Sequence, residues 1–417
     1  MEEKFVQKAL VLDAENSTGK IKVEKLCELI SDHPYRSEIY KVFDIENVKD
    51  EIISIDNIDT LFNRVAYFNK NYKRHNILAH SKDVNVFQSE KAIEGKNEKS
   101  INFHFDEYVV IDELKKDLRA IAIYDSKNTF LDEYVMTKYA NNLFKIGLAD
   151  LARQNVEYFK ELANSSDNYN KHRSYRLVEN EGVNYLRGIT SINKYFEYGV
   201  DFTFVVSMLI FHDNMKKNKG TEYKIKSASL NESKLEIIVV EKFLKDAGSF
   251  GKVSIAAKVT TNDLGQGSLN FVNIINVGQV DKQGFYLFPK SSKFENPKLI
   301  ISHTTKPENV FTNLLGVSNI LNTSDNFIKE LHEVKAIKTP DELRMKIQAK
   351  IDHPRSAFKE IKKLSDIFKT KIDNDISHFS QLMEMCNKAE ELDIDYDLKD
   401  KLRYLISDII LYGNSQS

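Results

Sequence analysis

Apolar residues recur at helical spacing through Ile21-Lys-Val-Glu-Lys-Leu-Cys-Glu-Leu-Ile30 and again from Ile58 to Leu78, which predicts a mainly helical unit over residues 1–97. The stretch Glu94-Gly-Lys-Asn-Glu-Lys-Ser100 is polar and aperiodic and reads as a linker. The pattern then changes. Phe103 to Ile111 and Leu118 to Tyr124 carry β-branched and aromatic residues at strand spacing, with Leu114-Lys-Lys-Asp117 as the turn between them. A helical segment runs from Thr129 to Ala163 and ends in Asn164-Ser-Ser-Asp-Asn168. Residues 173–301 read as strand-rich, with one helix near 200–215 and the clearest strands at Tyr223–Leu230, Leu235–Val240, Val253–Thr260 and Leu269–Val277. Between the last two, Asn262-Asp-Leu-Gly-Gln-Gly267 offers two glycines for positive φ. Short connections imply antiparallel pairing, because a parallel pair needs a long crossover. The last third is helical: Thr339-Pro-Asp-Glu342 sets Thr at an N-cap, Pro at N1 and Glu at N3, and Thr305-Lys-Pro-Glu308 repeats the signal. Phe358, Ile361, Leu364, Phe368 and Ile372 mark one helix face, and Leu398, Leu402, Leu405, Ile406 and Ile409 another. The whole predicts an α+β fold: a helical unit over 1–97, a central antiparallel sheet with packed helices over 101–303, and a helical unit over 304–417.

Composition narrows the class. A chain of 417 residues exceeds one core, and 41% hydrophobic with 29% charged residues are globular values. The net charge of −2 argues against a surface dedicated as a whole to polyanions, so contact with DNA or RNA would need a local patch. Cys27 and Cys386 are too few for a disulfide framework or a thiolate metal site. The first residues hold acidic charges and no apolar signal core, and the longest apolar run, Phe202 to Phe211, spans about half of what a membrane helix needs. These features predict a cytosolic protein with no membrane partner. No Gly-rich phosphate loop, His-x-x-x-His or serine elbow is visible, so neither cofactor nor metal is expected.

Two strings carry candidate chemistry. The first is Arg74-His75-Asn76-Ile77-Leu78-Ala79-His80, which resembles the Arg-polar-x(3–5)-His motif of HEPN proteins, a helical family rich in RNA-cleaving effectors. The resemblance implies that Arg74 grips a phosphate, His80 transfers a proton, and His75 is the polar second residue, two copies meeting at the scissile bond. That division of labour suits a guanidinium and an imidazole. The other reading is a helix ending near Ala79 with cations at its C-terminus.

The second string is Tyr169-Asn-Lys171-His-Arg173-Ser-Tyr175-Arg176, continued by Arg187 and Lys194-Tyr195. Cations interleaved with aromatics suit a nucleic-acid strand, the cations on phosphates and the rings on bases. Alternation sets Arg173 and Tyr175 on one strand face and His172, Ser174 and Arg176 on the other. The same pattern also fits a half-buried edge strand with a solvated basic face.

From Met136 to Ile347 the order of segments resembles the DUF932 family of phage- and plasmid-borne proteins. The resemblance rests on Lys138–Gly147, Arg187-Gly-Ile-Thr-Ser-Ile-Asn-Lys-Tyr195, Thr261-Asn-Asp-Leu-Gly265 and Ser302-His303-Thr304. One extra residue lies between Ser191 and Lys194, and Ile275-Asn-Val-Gly278 stands where the family has Cys-x-Asn. The resemblance implies a mobile-element or phage–host setting and supplies no reaction.

Other features read as ordinary surface or turn chemistry. Lys359, Lys362, Lys363, Lys369 and Lys371 lie opposite an apolar helix face, and His303 beside Thr304 and Thr305 reads as a helix-start turn. Glu236, Glu241 and Lys242 loosely resemble an acidic–lysine nuclease strand without its leading aspartate. The leading expectation is a nucleic-acid-binding or phage-defence protein working through the surface from Arg173 to Tyr195. The alternatives are a metal-independent ribonuclease through Arg74 and His80, and a module whose C-terminal helices dock a partner protein or a second copy.

Overall fold

The computed structural model describes residues 3–12, 17–92, 99–163, 171–264, 268–278, 284–288, 298–315, 328–329, 331, 339–369 and 375–413. Within them the fold is α+β, built on a larger and a smaller sheet. Residues 94–98 of the linker expected at 94–100, the loop at 164–168, Tyr169, the glycines Gly265 and Gly267, and Lys371 with Ile372 lie outside the described residues, while Lys99 and Ser100 already belong to a strand.

The first part of the chain lays down β1 (Lys8–Ala9), β2 (Lys20–Lys22), α1 (Val23–Cys27), α2 (Arg36–Val42), α3 (Ile45–Val48), β3 (Ile52–Asp56) and α4 (Ile58–Asn71). Helix α4 buries Ile58, Leu61, Phe62, Val65 and Phe68 at the spacing of one helix face. The expectation of a mainly helical unit over 1–97 fails beyond Asn71. Residues Lys73–His80 form strand β4 and Val84–Ala92 form β5. The reason is visible in the pattern: past Tyr72 the buried positions Ile77 and Ala79 alternate with more exposed ones, a period of two.

The smaller sheet continues with β6 (Lys99–Val110) and β7 (Glu113–Ala122), then helices α5 (Ser126–Asp132), α6 (Thr137–Lys145) and α7 (Ala149–Ala163), then β8 (His172–Asn180) and β9 (Val183–Ser191). The β6–β7 turn sits at Ile111 and Asp112, both at positive φ, and not at 114–117 as the pattern suggested. Strand order is β4-β8-β9-β7-β6-β5, and a bridge between Leu78 and Val109 joins β4 to β6, closing the sheet on itself. Phe103, Phe105, Phe130, Tyr175 and Leu186 fill its core with α5–α7.

Helix α8 (Gly199–Lys217) follows, then β10 (Tyr223–Leu230), β11 (Lys234–Glu241), β12 (Lys245–Asp246), β13 (Lys252–Asn262), β14 (Ser268–Val277), β15 (Phe285–Leu287) and β16 (Lys298–Ser302). The larger sheet runs β15-β14-β13-β11-β10-β3-β2, with β1 on β10, β12 on β13 and β16 on β14. Antiparallel pairing dominates as expected, except that β3 joins β10 and β7 joins β9 in parallel. Helix α8 is the apolar run around Phe202–Phe211. It is buried on every side, between the sheet and the N-terminal helices, and so needs no polar face. No helix among the described residues is long and apolar enough to cross a membrane.

Helices α9 (Pro307–Leu315), α10 (Pro340–Ile351), α11 (Lys362–Phe368), α12 (Phe379–Glu390) and α13 (Tyr396–Tyr412) complete the described chain. Thr339 closes the expected capping box with Glu342 at the start of α10. Leu402, Ile406 and Ile409 of α13 pack with α10–α12 and with Val253, Ile275 and Phe285 of the larger sheet. The apolar face expected to dock a partner is therefore used within the chain.

Candidate functional site

The two sheets meet around a cluster of seven charged or titratable residues drawn from six segments. Arg74 opens β4, Arg176 lies in β8 and Arg187 in β9. Glu197 stands just before α8 and Asp201 in its first turn, while Asp263 and His303 follow the ends of β13 and β16. Local sequence makes room for them. A register shift after Arg176 turns that strand, and a Cβ placed on the facing Gly188 would lie 2.3 Å from Arg176 Nη2. Gly199 has φ +80°, and a Cβ there would lie 2.3 Å from Asp201 Oδ1 and 2.6 Å from Arg74 Nη1.

Arg74 Nη2 donates to Asp201 Oδ2 at 2.7 Å, and Asn69 Nδ2 reaches the same oxygen at 3.3 Å. Arg187 donates to Glu197 Oε1, and to Ser233 Oγ at 3.2 Å. Arg176 donates to the Asp263 carbonyl, stands 3.9 Å from Glu197 Oε2, and covers the Tyr195 ring at 4.2 Å from its centroid. The other face of Tyr195 stacks on His303 at 4.5 Å. His303 Nδ1 meets the carbonyl of Phe196 at 2.8 Å and Nε2 that of Asn262 at 2.9 Å. Asp263 Oδ1 lies 3.7 Å from the same Nε2.

Burial and charge pull the carboxyls apart. Burial works to raise Glu197, but Arg187, then Arg176 and Arg74, outweigh it and hold the group at about 2. Asp263 goes the other way, pushed up by burial and then by the Glu197 carboxylate, against His303 and the arginines. Among the described residues neither Asp263 side-chain oxygen has a hydrogen-bond partner, nor do Asp201 Oδ1, Arg176 Nε and Nη2, or Arg187 Nε. The cluster therefore has hydrogen-bonding capacity that the fold does not use.

Beside it opens a pocket of about 670 Å³. Arg74, Asn69, Glu197, Gly199 and Asp201 line it next to the cluster, and Lys70, Lys73 and His75 belong to its wall from the corner between α4 and β4. His33 lines it too, but its ring is committed: Nδ1 accepts the Tyr35 N–H at 3.1 Å, so Nε2 donates to the Tyr198 carbonyl at 3.0 Å. Burial lowers the pKa of His33 and of His75. Lys70 and Lys73 are exposed, and Arg74 keeps 21% of its side chain open. Among the described residues no group of three or more His, Cys, Asp or Glu is arranged to hold a metal.

The predicted residues divide. The motif from Arg74 to His80 stands on a strand and not a helix. Its arginine and histidine lie at opposite ends of β4, about 20 Å apart at strand rise, and so cannot share one phosphate within a chain. Arg74 lines the pocket; His80 is exposed and stacks on His172. The expected basic–aromatic surface is corrected as well. Tyr175, Arg176 and Arg187 are buried, and Arg173 is paired with Glu133 at 2.5 Å. Lys171 and Tyr195 are half-buried, which leaves Lys194 as the exposed member. His303 sits in the turn between β16 and α9, as expected, with its ring buried against Tyr195. Sequence reasoning missed Glu197, Asp201 and Asp263. A signal existed for Asp201 alone, a charge inside an otherwise apolar run.

Set against family models, curated proteins and solved structures, the chain matches none of them.

Proposed function

We propose that the chain binds nucleic acid by taking one nucleotide into the pocket between α4, β4 and α8. Lys70, Lys73 and the open side of Arg74 meet its phosphate, and Glu197 and Asp201 accept from sugar hydroxyls or base N–H groups. The observation that carries this reading is the pairing of consecutive cations at one corner with a carboxylate wall in a single cavity. Its volume lies in the range of small-ligand sites, and cations beside an anion-sized opening are what phosphate recognition requires. The near-neutral net charge agrees with a local site and not a coated surface.

The test is fluorescence anisotropy of the full chain with labelled single-stranded RNA and DNA, with mononucleotides as competitors. Binding should weaken with salt, and replacing Lys70 and Lys73 by Ala should lower the slope by about one per cation removed. Competition by a mononucleotide separates a one-nucleotide pocket from a site that needs a strand. An unchanged slope in the double variant overturns the reading. Loss of binding in Lys171→Ala with Lys194→Ala instead would return the contact to the 171–195 surface. Cleavage of the RNA in excess chelator, lost in His80→Ala, would favour the ribonuclease reading.

A further inference from the structure

His80 is left unused by the pocket, yet the fold gives it a partner 92 residues away. Strands β4 and β8 run antiparallel with His80 directly opposite His172. The two rings stack at 4.4 Å between centroids with an angle of 11°. Both residues are exposed. Among the described residues neither ring makes a hydrogen bond or ion pair, so both keep nitrogen lone pairs for another use. Glu133, just past α5, is committed to Ser81 and Arg173, the residues next to His80 and His172 in sequence.

We infer that His80 and His172 form a two-imidazole site for a divalent first-row transition metal, filled best by copper(II). Residues opposite each other on paired strands hold their Cβ atoms about 5 Å apart, so two such rings reach one ion by turning about their side-chain bonds. A metal–imidazole nitrogen bond is about 2.0–2.1 Å, and exposed rings on a sheet end are free to make that turn. Two neutral nitrogens and no carboxylate select against calcium and magnesium, which take oxygen ligands. Affinity should follow the order zinc below copper, with nickel between or level with zinc. Water completes the coordination. The site lies at the far end of β4 from the pocket and does not depend on the nucleotide reading.

The experiment is calorimetric titration of the chelator-treated full chain with copper(II), nickel(II) and zinc(II) salts, with paramagnetic resonance of the copper complex. One copper equivalent coordinated by two imidazole nitrogens is expected, weakened at least tenfold in His80→Ala and equally in His172→Ala. Both side chains are exposed, so circular dichroism should match the parent, and His80→Gln repeats the test with a residue of similar size. The chain holds 10 histidines. If either single variant keeps the parent's affinity and stoichiometry, or the resonance reports a single nitrogen, the copper sits elsewhere and the assignment is overturned.

Discussion

Arg403 on α13 donates to Glu236 on β11 at 3.0 Å, across the join between the C-terminal helices and the larger sheet. The same guanidinium holds Glu390 of α12 and Asp400, and Lys258 of β13 meets Glu236 at 3.0 Å from the other side. Glu236, Lys258, Glu390 and Arg403 are all buried, so each charge depends on the others staying in place. Removing one partner from such a network strands a buried charge, a cost of about 3–5 kcal/mol. Arg403→Met should therefore lower the urea midpoint strongly. Adding Glu390→Gln should restore part of the loss, because the second change removes the buried charge the first one orphaned, whereas Glu236 keeps Lys258.

Acid should weaken the fold through two carboxyls in particular. Burial acts to raise Glu236, but Lys258 and Arg403 hold it at about 2, as the arginines hold Glu197. A folded pKa below the unfolded one gives stability that is present above the ordinary carboxylate range and lost as pH falls towards 2. Thermal melts between pH 7 and pH 3 should fall steadily, and Glu236→Gln should flatten that fall while starting lower at pH 7. An equal slope in the variant would contradict the assignment.

Two glycines with the same backbone angle should respond differently to alanine. Gly147 and Gly199 both have φ +80°, but a Cβ on Gly147 meets nothing within 4 Å, whereas one on Gly199 collides with Asp201 and Arg74. Gly147→Ala should cost about 1–2 kcal/mol, the penalty of the left-handed region alone. Gly199→Ala should cost more, and it alone should weaken nucleotide binding. Melting and anisotropy of the two variants side by side check this.

Phe5 is fully buried at the sheet junction, with its ring 4.7 Å from Tyr185 and within 6.3 Å of Tyr72 and Tyr124. Phe5→Ala should destabilise the protein by about 3–5 kcal/mol, as removal of a buried aromatic does. A loss of unfolding free energy below about 1 kcal/mol, from urea titration of the full chain, would show the N-terminal segment to be an accessory.

What the sequence made legible were features set by neighbouring residues. The apolar run of α8, the capping box at Thr339 and the strands β10, β11, β13 and β14 all lie where local pattern put them. The charged cluster was not legible, for a physical reason. Alternation along β8 does separate Tyr175 from Arg176, but both faces of that strand are covered, so period two no longer sorts inside from outside. Arg176 tolerates burial only because Glu197 and Asp263 arrive from later segments, and nothing near Arg176 in sequence announces them. The strand at 73–80 was hidden similarly, since its hydrogen bonds go to β8, about a hundred residues on.

The N-terminal segment also constrains the order in which the molecule can be made. Asn231 donates to the Phe5 carbonyl across 226 residues, and Lys8 pairs with Leu230 in the larger sheet. At ribosomal speeds the opening residues wait roughly ten to forty-five seconds before their partners emerge. Until then β1 has no strand to pair with and stays open to chaperones and to neighbouring nascent chains.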